Sequence, residues 1–163
     1  MSKPHPVFPA PDHDHARCAN DALAHAEAIC GTRKERLTPV RRRVLEALLA
    51  SHAPLGAYEI IDRLAAYRSR PAPITVYRAL DFLREQGFVH RIESRNAFIA
   101  CVHEHARAEP IVFLICEQCG AVGEAGGAGV ADLIRSASRS AGFTPKTPVI
   151  EIFGTCAHCK RAA

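Results

Sequence analysis

Apolar positions recur at helical spacing through the first part of this chain and at strand spacing after Gly87. Up to about Cys18 there is no period at all. Pro, His and Asp dominate there, which predicts a disordered tail over residues 1–19, with His13, Asp14 and His15 as a weak metal-binding feature. From Asn20, Leu23, Ala26, Ile29 and Cys30 share one helical face. Thr38-Pro39 reads as a helix start, an N-cap with proline at the first helical position. The helix it opens turns Val40, Val44, Leu45, Leu48 and Leu49 inward, with Arg41, Arg42 and Arg43 at its front. Pro54-Leu55-Gly56 breaks the chain before a short amphipathic helix, Ala57 to Ala66, that buries Ile60, Ile61 and Leu64. After Pro71-Ala72-Pro73 a fourth helix, Ile74 to Gln86, buries Val76, Leu80 and Leu83 and stops at Gly87.

Phe88 to Ile92 and Ala97 to Ala100 read as short strands joined by a turn at Ser94-Arg95-Asn96. Helices closed by a two-stranded hairpin form the winged helix-turn-helix pattern. Beyond Cys101 a polar hinge leads to an apolar strand, Ile111 to Ile115, and a Gly-rich stretch, Gly123 to Gly129. A helix from Val130 to Ala141, capped by Gly142, and a strand from Val149 to Phe153 complete the pattern. The expected fold is α+β: a winged-helix domain over 20–100, a hinge over 101–110 and an α/β domain over 111–163.

Two Cys-x-x-Cys pairs, Cys116/Cys119 and Cys156/Cys159, change this picture most. Each pair can reach one metal from a tight turn, so four thiols in this spacing match a tetrahedral Zn²⁺ site. A redox motif would need one pair only, and a disulfide framework would need an oxidising compartment. Structural zinc is the expected use. Cys18 and Cys30 have no partner at ligand spacing and are read as non-functional.

At 163 residues the chain holds one ordinary domain or two small ones. It has no apolar run of membrane-spanning length, and Met1 to Pro6 lacks the apolar core of a signal peptide. A cytoplasmic location, where thiols stay reduced, is the expectation. The formal net charge of +4 is unevenly placed. From Arg33 to Arg95 thirteen Lys/Arg face seven Asp/Glu, while from Asn96 onward there are six of each. A basic half beside a neutral, Cys-bearing half points to a polyanion-binding domain with a separate regulatory domain.

Thr75, Tyr77 and Arg78 lie near the start of the fourth helix, off its apolar stripe. In a helix-turn-helix this end enters the major groove, where Arg suits guanine and Thr or Tyr suits phosphate or a thymine methyl. Tyr58, at the start of the third helix, is a further candidate, and Arg41 to Arg43 are expected to face phosphates. A second metal constellation flanks the junction of the halves: His90, Cys101, His103, His105, Glu109 and Glu124. One thiolate with imidazole and carboxylate is a legitimate Zn²⁺ set, biased away from Mn²⁺ and Mg²⁺. Ligands drawn from both domains and the hinge would let metal set the angle between them, as in a sensor.

The run Arg36-Leu37-Thr38-Pro39, then Thr75-Val76-Tyr77-Arg78-Ala79-Leu80-Asp81-Phe82-Leu83 and Gln86-Gly87-Phe88-Val89-His90, resembles the ferric uptake regulator family. With Cys101 and both Cys pairs, it looks most like the zinc uptake regulator branch. The resemblance implies a homodimeric, zinc-responsive repressor that binds double-stranded operator DNA and controls zinc-uptake genes. It implies that the C-terminal α/β domain is the dimerisation domain. It also implies one structural and one regulatory Zn²⁺ per chain, the first on Cys116, Cys119, Cys156 and Cys159. His90, Cys101 and Glu124 match three sensing ligands. The fourth is Glu109 by register, or His103 or His105 by chemical preference. Tyr58 and Arg78 match DNA-contacting positions of the family. The alternatives are an iron, manganese or peroxide sensor of the same family, a zinc hydrolase, and a zinc-ribbon interaction module without DNA binding. Cys101 argues against a hard-metal or peroxide sensor. A closed Cys₄ set lacks the open metal position that a hydrolase needs.

Overall fold

Four helices and a hairpin account for most of residues 15–100 in the computed structural model, which describes residues 7–8, 14–66, 70–101, 110–146 and 148–162. The chain divides into two compact units, residues 11–102 and residues 103–163 taken with residues 1–10. The first contains α1 (His15–Thr32), α2 (Pro39–Leu49), α3 (Ala57–Ala65), α4 (Pro73–Gln86) and the antiparallel strands β1 (Val89–Ile92) and β2 (Ala97–Ala100).

The α1 helix starts at His15 rather than at Asn20, so the disordered tail expected over residues 1–19 does not extend over residues 15–19. Asp14 is the cause: its carboxylate accepts the Arg17 backbone N–H at 2.9 Å, capping a helix end hidden in a stretch with no apolar period. Thr38 caps α2 as expected, with Pro39 at its first position. The inward residues Val44, Leu45, Leu48 and Leu49 of α2 meet Ile60, Ile61 and Leu64 of α3 and Val76, Leu80 and Leu83 of α4 in one core. Each such side chain contributes about 1.5–3 kcal/mol on leaving water. Leu55 extends the hairpin by a residue of β pairing. It exchanges two backbone hydrogen bonds with Phe98, each 2.8 Å. Wing and helices are thereby joined through backbone as well as side chains.

The second unit is a three-stranded sheet, order β4-β3-β5, with β3 at Ile111–Cys116, β4 at Val122–Gly126 and β5 at Ile150–Gly154. The helices α5 (Ala128–Ser140) and α6 (Ala157–Ala162) follow β4 and β5. β4 falls in the Gly-rich stretch that reads as a connection, because glycine carries little strand signal. Its antiparallel pairing with β3, Leu114 opposite Gly123, makes it a strand. Glycine is required at position 123 by close approach: a Cβ there would lie 2.6 Å from the Val7 carbonyl oxygen. Val7 and Phe8 thus pack with this unit. Its outer surface keeps Leu133, Phe143, Val149, Ile152 and Phe153 exposed, the last two on the edge strand β5.

Gly87 ends α4 in the left-handed region, φ +82°, which lets its N–H reach back to Arg84 and aims the chain into β1. Gly87→Ala is expected to destabilise the helical unit by about 1–2 kcal/mol, the cost of a Cβ in that conformation. Urea unfolding followed by helical circular dichroism measures it. An unchanged midpoint would mean that the turn relaxes at no cost.

Candidate metal centre and nucleic-acid interface

β3 and β5 run parallel with Cys116 level with Gly154, so both strands end at the same edge of the unit. The Glu117 N–H donates to the Gly154 carbonyl at 2.9 Å, carrying the pairing one step past the strands. Cys116 closes β3 and Cys119 follows in the turn. Cys156 lies just beyond β5, and α6 carries Cys159. The Cys116 and Cys159 sulfurs are 3.8 Å apart, those of Cys119 and Cys156 3.9 Å, and all four lie within 4.8 Å of one another. A Zn–S bond of about 2.3 Å in a tetrahedron gives an S···S edge of about 3.8 Å. A disulfide would need about 2.05 Å. The four residues fit zinc.

Backbone donors are already aimed at the sulfurs. The Cys156 N–H points at Cys116 Sγ at 3.4 Å, and the Cys159 N–H at Cys156 Sγ at 3.5 Å. Backbone N–H groups of Cys119 and then Cys156 hold the Cys116 thiol down at about 6. The opposite happens at Cys159, pushed up to about 12 by hydrogen bonding with the Cys156 sulfur and then by burial. Neighbouring thiols shifted in opposite directions cannot all ionise against each other. A divalent cation removes that conflict, because it binds each of them as thiolate.

Of the other metal candidates, His90 sits half-buried on β1 opposite Ile99. Cys101 follows β2, half-buried, its N–H donating to the Phe88 carbonyl at 2.8 Å. Glu124 lies on β4 opposite Phe113 and is the buried charged side chain among the described residues. His103, His105, Glu109 and His13 lie outside the described residues. Asp14 is spent on capping α1, and the His15 ring packs edge-on against His52, centroids 4.8 Å apart. Cys30 packs in the helical core, as a small apolar residue would.

Proline at the first position of α4 fixes the helix start, and its exposed face presents Thr75, Tyr77 and Arg78 beyond the buried stripe. Tyr58 stands 63% exposed at the start of α3. The arginines of α2 are placed differently from one another. Arg41 donates to the Arg36 carbonyl at 2.6 Å and lies over the Phe82 ring, 3.4 Å from its centroid. Arg42 pairs with Glu46 at 2.8 Å and with Glu27. Two of the three expected phosphate-facing arginines thus have partners inside the fold, and Arg43 has no such ion pair among the described contacts. His158, inside the second Cys pair, escaped sequence reasoning. Its imidazole hydrogen-bonds the Phe8 carbonyl at 3.4 Å, a partner 150 residues away that no local pattern announces.

A winged helix with an exposed helix end, followed by a sheet that gathers four cysteines, is the build of a metal-binding transcription regulator. The chain belongs to the ferric uptake regulator family, whose model matches residues 32–153. It is 41% identical over 139 residues to the zinc uptake regulation protein of Escherichia coli (strain K12), covering 85% of this chain and 81% of that protein. A solved zinc uptake regulator complexed with zinc and DNA aligns with TM-score 0.82 and 40% identity, over 88% of this chain and 96% of that one. The crystal structure of holo XcZur aligns with TM-score 0.78 and 39% identity, over 87% and 99% of the respective chains.

Replacing Cys116 or Cys156 with Ser should release one zinc per chain and unfold the C-terminal unit, because ligands that do not preassemble make metal binding part of folding. Metal content and amide exchange over β3 and β5 measure both. A well-protected sheet in a Cys116→Ser protein that has lost this zinc would contradict a structural role.

Proposed function

We propose that this chain is a zinc-responsive transcriptional repressor that binds operator DNA as a homodimer and controls zinc-uptake genes. The observation that carries the reading is the 41% identity to a zinc uptake regulation protein, extending over 85% of the chain. The Cys₄ cluster and the exposed start of α4 support it. Two zinc ions serve each chain. The structural one is held by Cys116, Cys119, Cys156 and Cys159. The regulatory one is taken by His90, Cys101 and Glu124, with Glu109, His103 or His105 completing the set. A thiolate in that set favours zinc over manganese or iron, which weighs against the other metal and peroxide sensors of the family.

The regulatory ion raises DNA affinity by its preference for the DNA-competent form and by no more than that preference. Tyr58, Thr75 and Tyr77 contact backbone or base edges at the groove, and Arg78 offers its donor fork to guanine. Arg43 is the best placed of the α2 arginines for phosphate, whereas Arg41 and Arg42 chiefly support the fold. Self-association through the C-terminal unit is supported by the exposed Leu133, Phe143, Ile152 and Phe153 and by the open edge of β5. Work in the cytoplasm suits a protein that needs reduced thiols. No described helix is long and apolar enough to cross a membrane.

Operator binding should be restored to the metal-depleted regulatory site by Zn²⁺ and not by Fe²⁺ or Mn²⁺. Cys101→Ser should leave a folded dimer holding one zinc per chain that no longer responds. A companion Glu109→Ala variant identifies the fourth ligand. Full response in it, with loss in a His103→Ala or His105→Ala variant, assigns the histidine. Equal activation of the wild type by all three metals would sink the zinc-specific reading.

Arg78→Ala should cost about 1–3 kcal/mol on operator and much less on scrambled duplex, as expected for a base contact. Binding titrations on both duplexes across a salt series, with zinc saturating, provide the comparison. Equal losses on the two would make Arg78 a phosphate contact.

A further inference from the structure

Three large apolar or aromatic side chains stand exposed among the described residues of the helical unit: Tyr58 at 63%, Ile74 at 59% and Tyr77 at 40%. All three fall within the first five residues of α3 or α4. The other large apolar residues described in this unit are buried or half-buried. Exposure is therefore concentrated at the two helix starts, and Ile74 is the member that carries no polar group. Nothing in the fold calls for it. A β-branched residue is a mediocre helix former, and this one fills no core position.

Its position is informative. Ile74, Tyr77 and Arg78 are spaced i, i+3 and i+4, so they share one face of α4. Helical side chains lean toward the N-terminus, which carries the Ile74 side chain toward the leading end of the helix. The backbone beneath it is held firmly. Pro73 presets the first turn, and the Ala72 carbonyl accepts the Thr75 N–H at 2.9 Å. A rigid, solvated, purely apolar tip cannot recognise phosphate, which asks for donors. In the major groove the apolar feature that distinguishes one base from the others is the thymine C5-methyl.

We propose that Ile74 is a specificity-determining residue that reads a thymine through its C5-methyl, beside the base contact of Arg78. The assignment rests on operator binding by α4. Deoxyuridine tests it directly, since it removes that methyl and leaves Watson–Crick pairing intact. A duplex is first enriched by the zinc-loaded, full-length protein from a randomised pool, and each thymine is then replaced singly. At one thymine per half-site, wild type should lose about fourfold in affinity, the worth of one buried methyl group. Ile74→Ala alters both protomers, so with unchanged circular dichroism it should bind the thymine duplex about sixteenfold more weakly and lose nothing further from either deoxyuridine replacement. Ile74→Val should keep the methyl sensitivity. Equal deoxyuridine losses in wild type and Ile74→Ala, or no loss at any position, would overturn the assignment while leaving the repressor reading intact. Failure of wild type to enrich any duplex with zinc present would remove both.

Discussion

β3 and β5 lie side by side in the same direction, with Cys116 level with Gly154, and the metal centre follows from that pairing. Parallel strands end at the same edge, so the turn after each delivers its two cysteines to one place. Antiparallel pairing over the same five residues would separate the two turns by roughly 15 Å, far beyond the reach of one ion. Four thiolates within 4.8 Å of one another would repel without a cation between them. Zinc at this point would turn a crowded edge into a closed one, and it would fasten the ends of a sheet whose strands are only five or six residues long. A three-stranded sheet of that size, with α5 burying none of its described side chains fully, has little core of its own. With zinc bound, the thiols would be part of its folding as well as of its chemistry.

The helical unit solves a different problem, which is to hold α4 firmly while leaving its first turns in water. Its inner face is anchored by the apolar core. Its far end is held by Arg33, which donates at 2.9 Å to both the backbone and side-chain oxygens of Gln86. Arg41 presses on Phe82 from the α2 side, where a guanidinium stacked on a ring orients as well as attracts. Basic residues that look from composition like a phosphate patch thus serve in part to aim the helix. Their charge still contributes to the field around it, though screened over roughly 10 Å at ordinary salt.

Much of this was legible in the chain because the signals are local. A 3.6-residue apolar period marks the inner faces of α2, α3 and α4. Thr38-Pro39 and Gly87 mark where α2 begins and α4 ends. Two Cys-x-x-Cys spacings specify a chemistry whatever surrounds them. These features depend on bond geometry and on neighbours within a turn, so they survive without knowledge of the fold. β4 was not legible, since glycines at 123 and 126 erase the strand pattern and only hydrogen bonding to β3 restores it. Nor was the start of α1, which rests on one carboxylate inside a segment lacking apolar rhythm.

Tertiary structure alone decided which groups became partners. Cys116 stands 3.8 Å from Cys159, sulfur to sulfur, Arg42 joins Glu27 on another helix, and the Val7–Phe8 segment lies against Gly123 and His158. Each of these contacts joins residues far apart in sequence. Each depends on strand direction, register or helix packing, which no short window of residues encodes. The chain by itself determined its helices, its breaks and its metal-binding chemistry, because these follow from intrinsic torsional preference and side-chain identity. Which thiols became neighbours, which arginines stayed free of internal ion pairs and which apolar tips remained in water were settled only when distant segments competed for the same space.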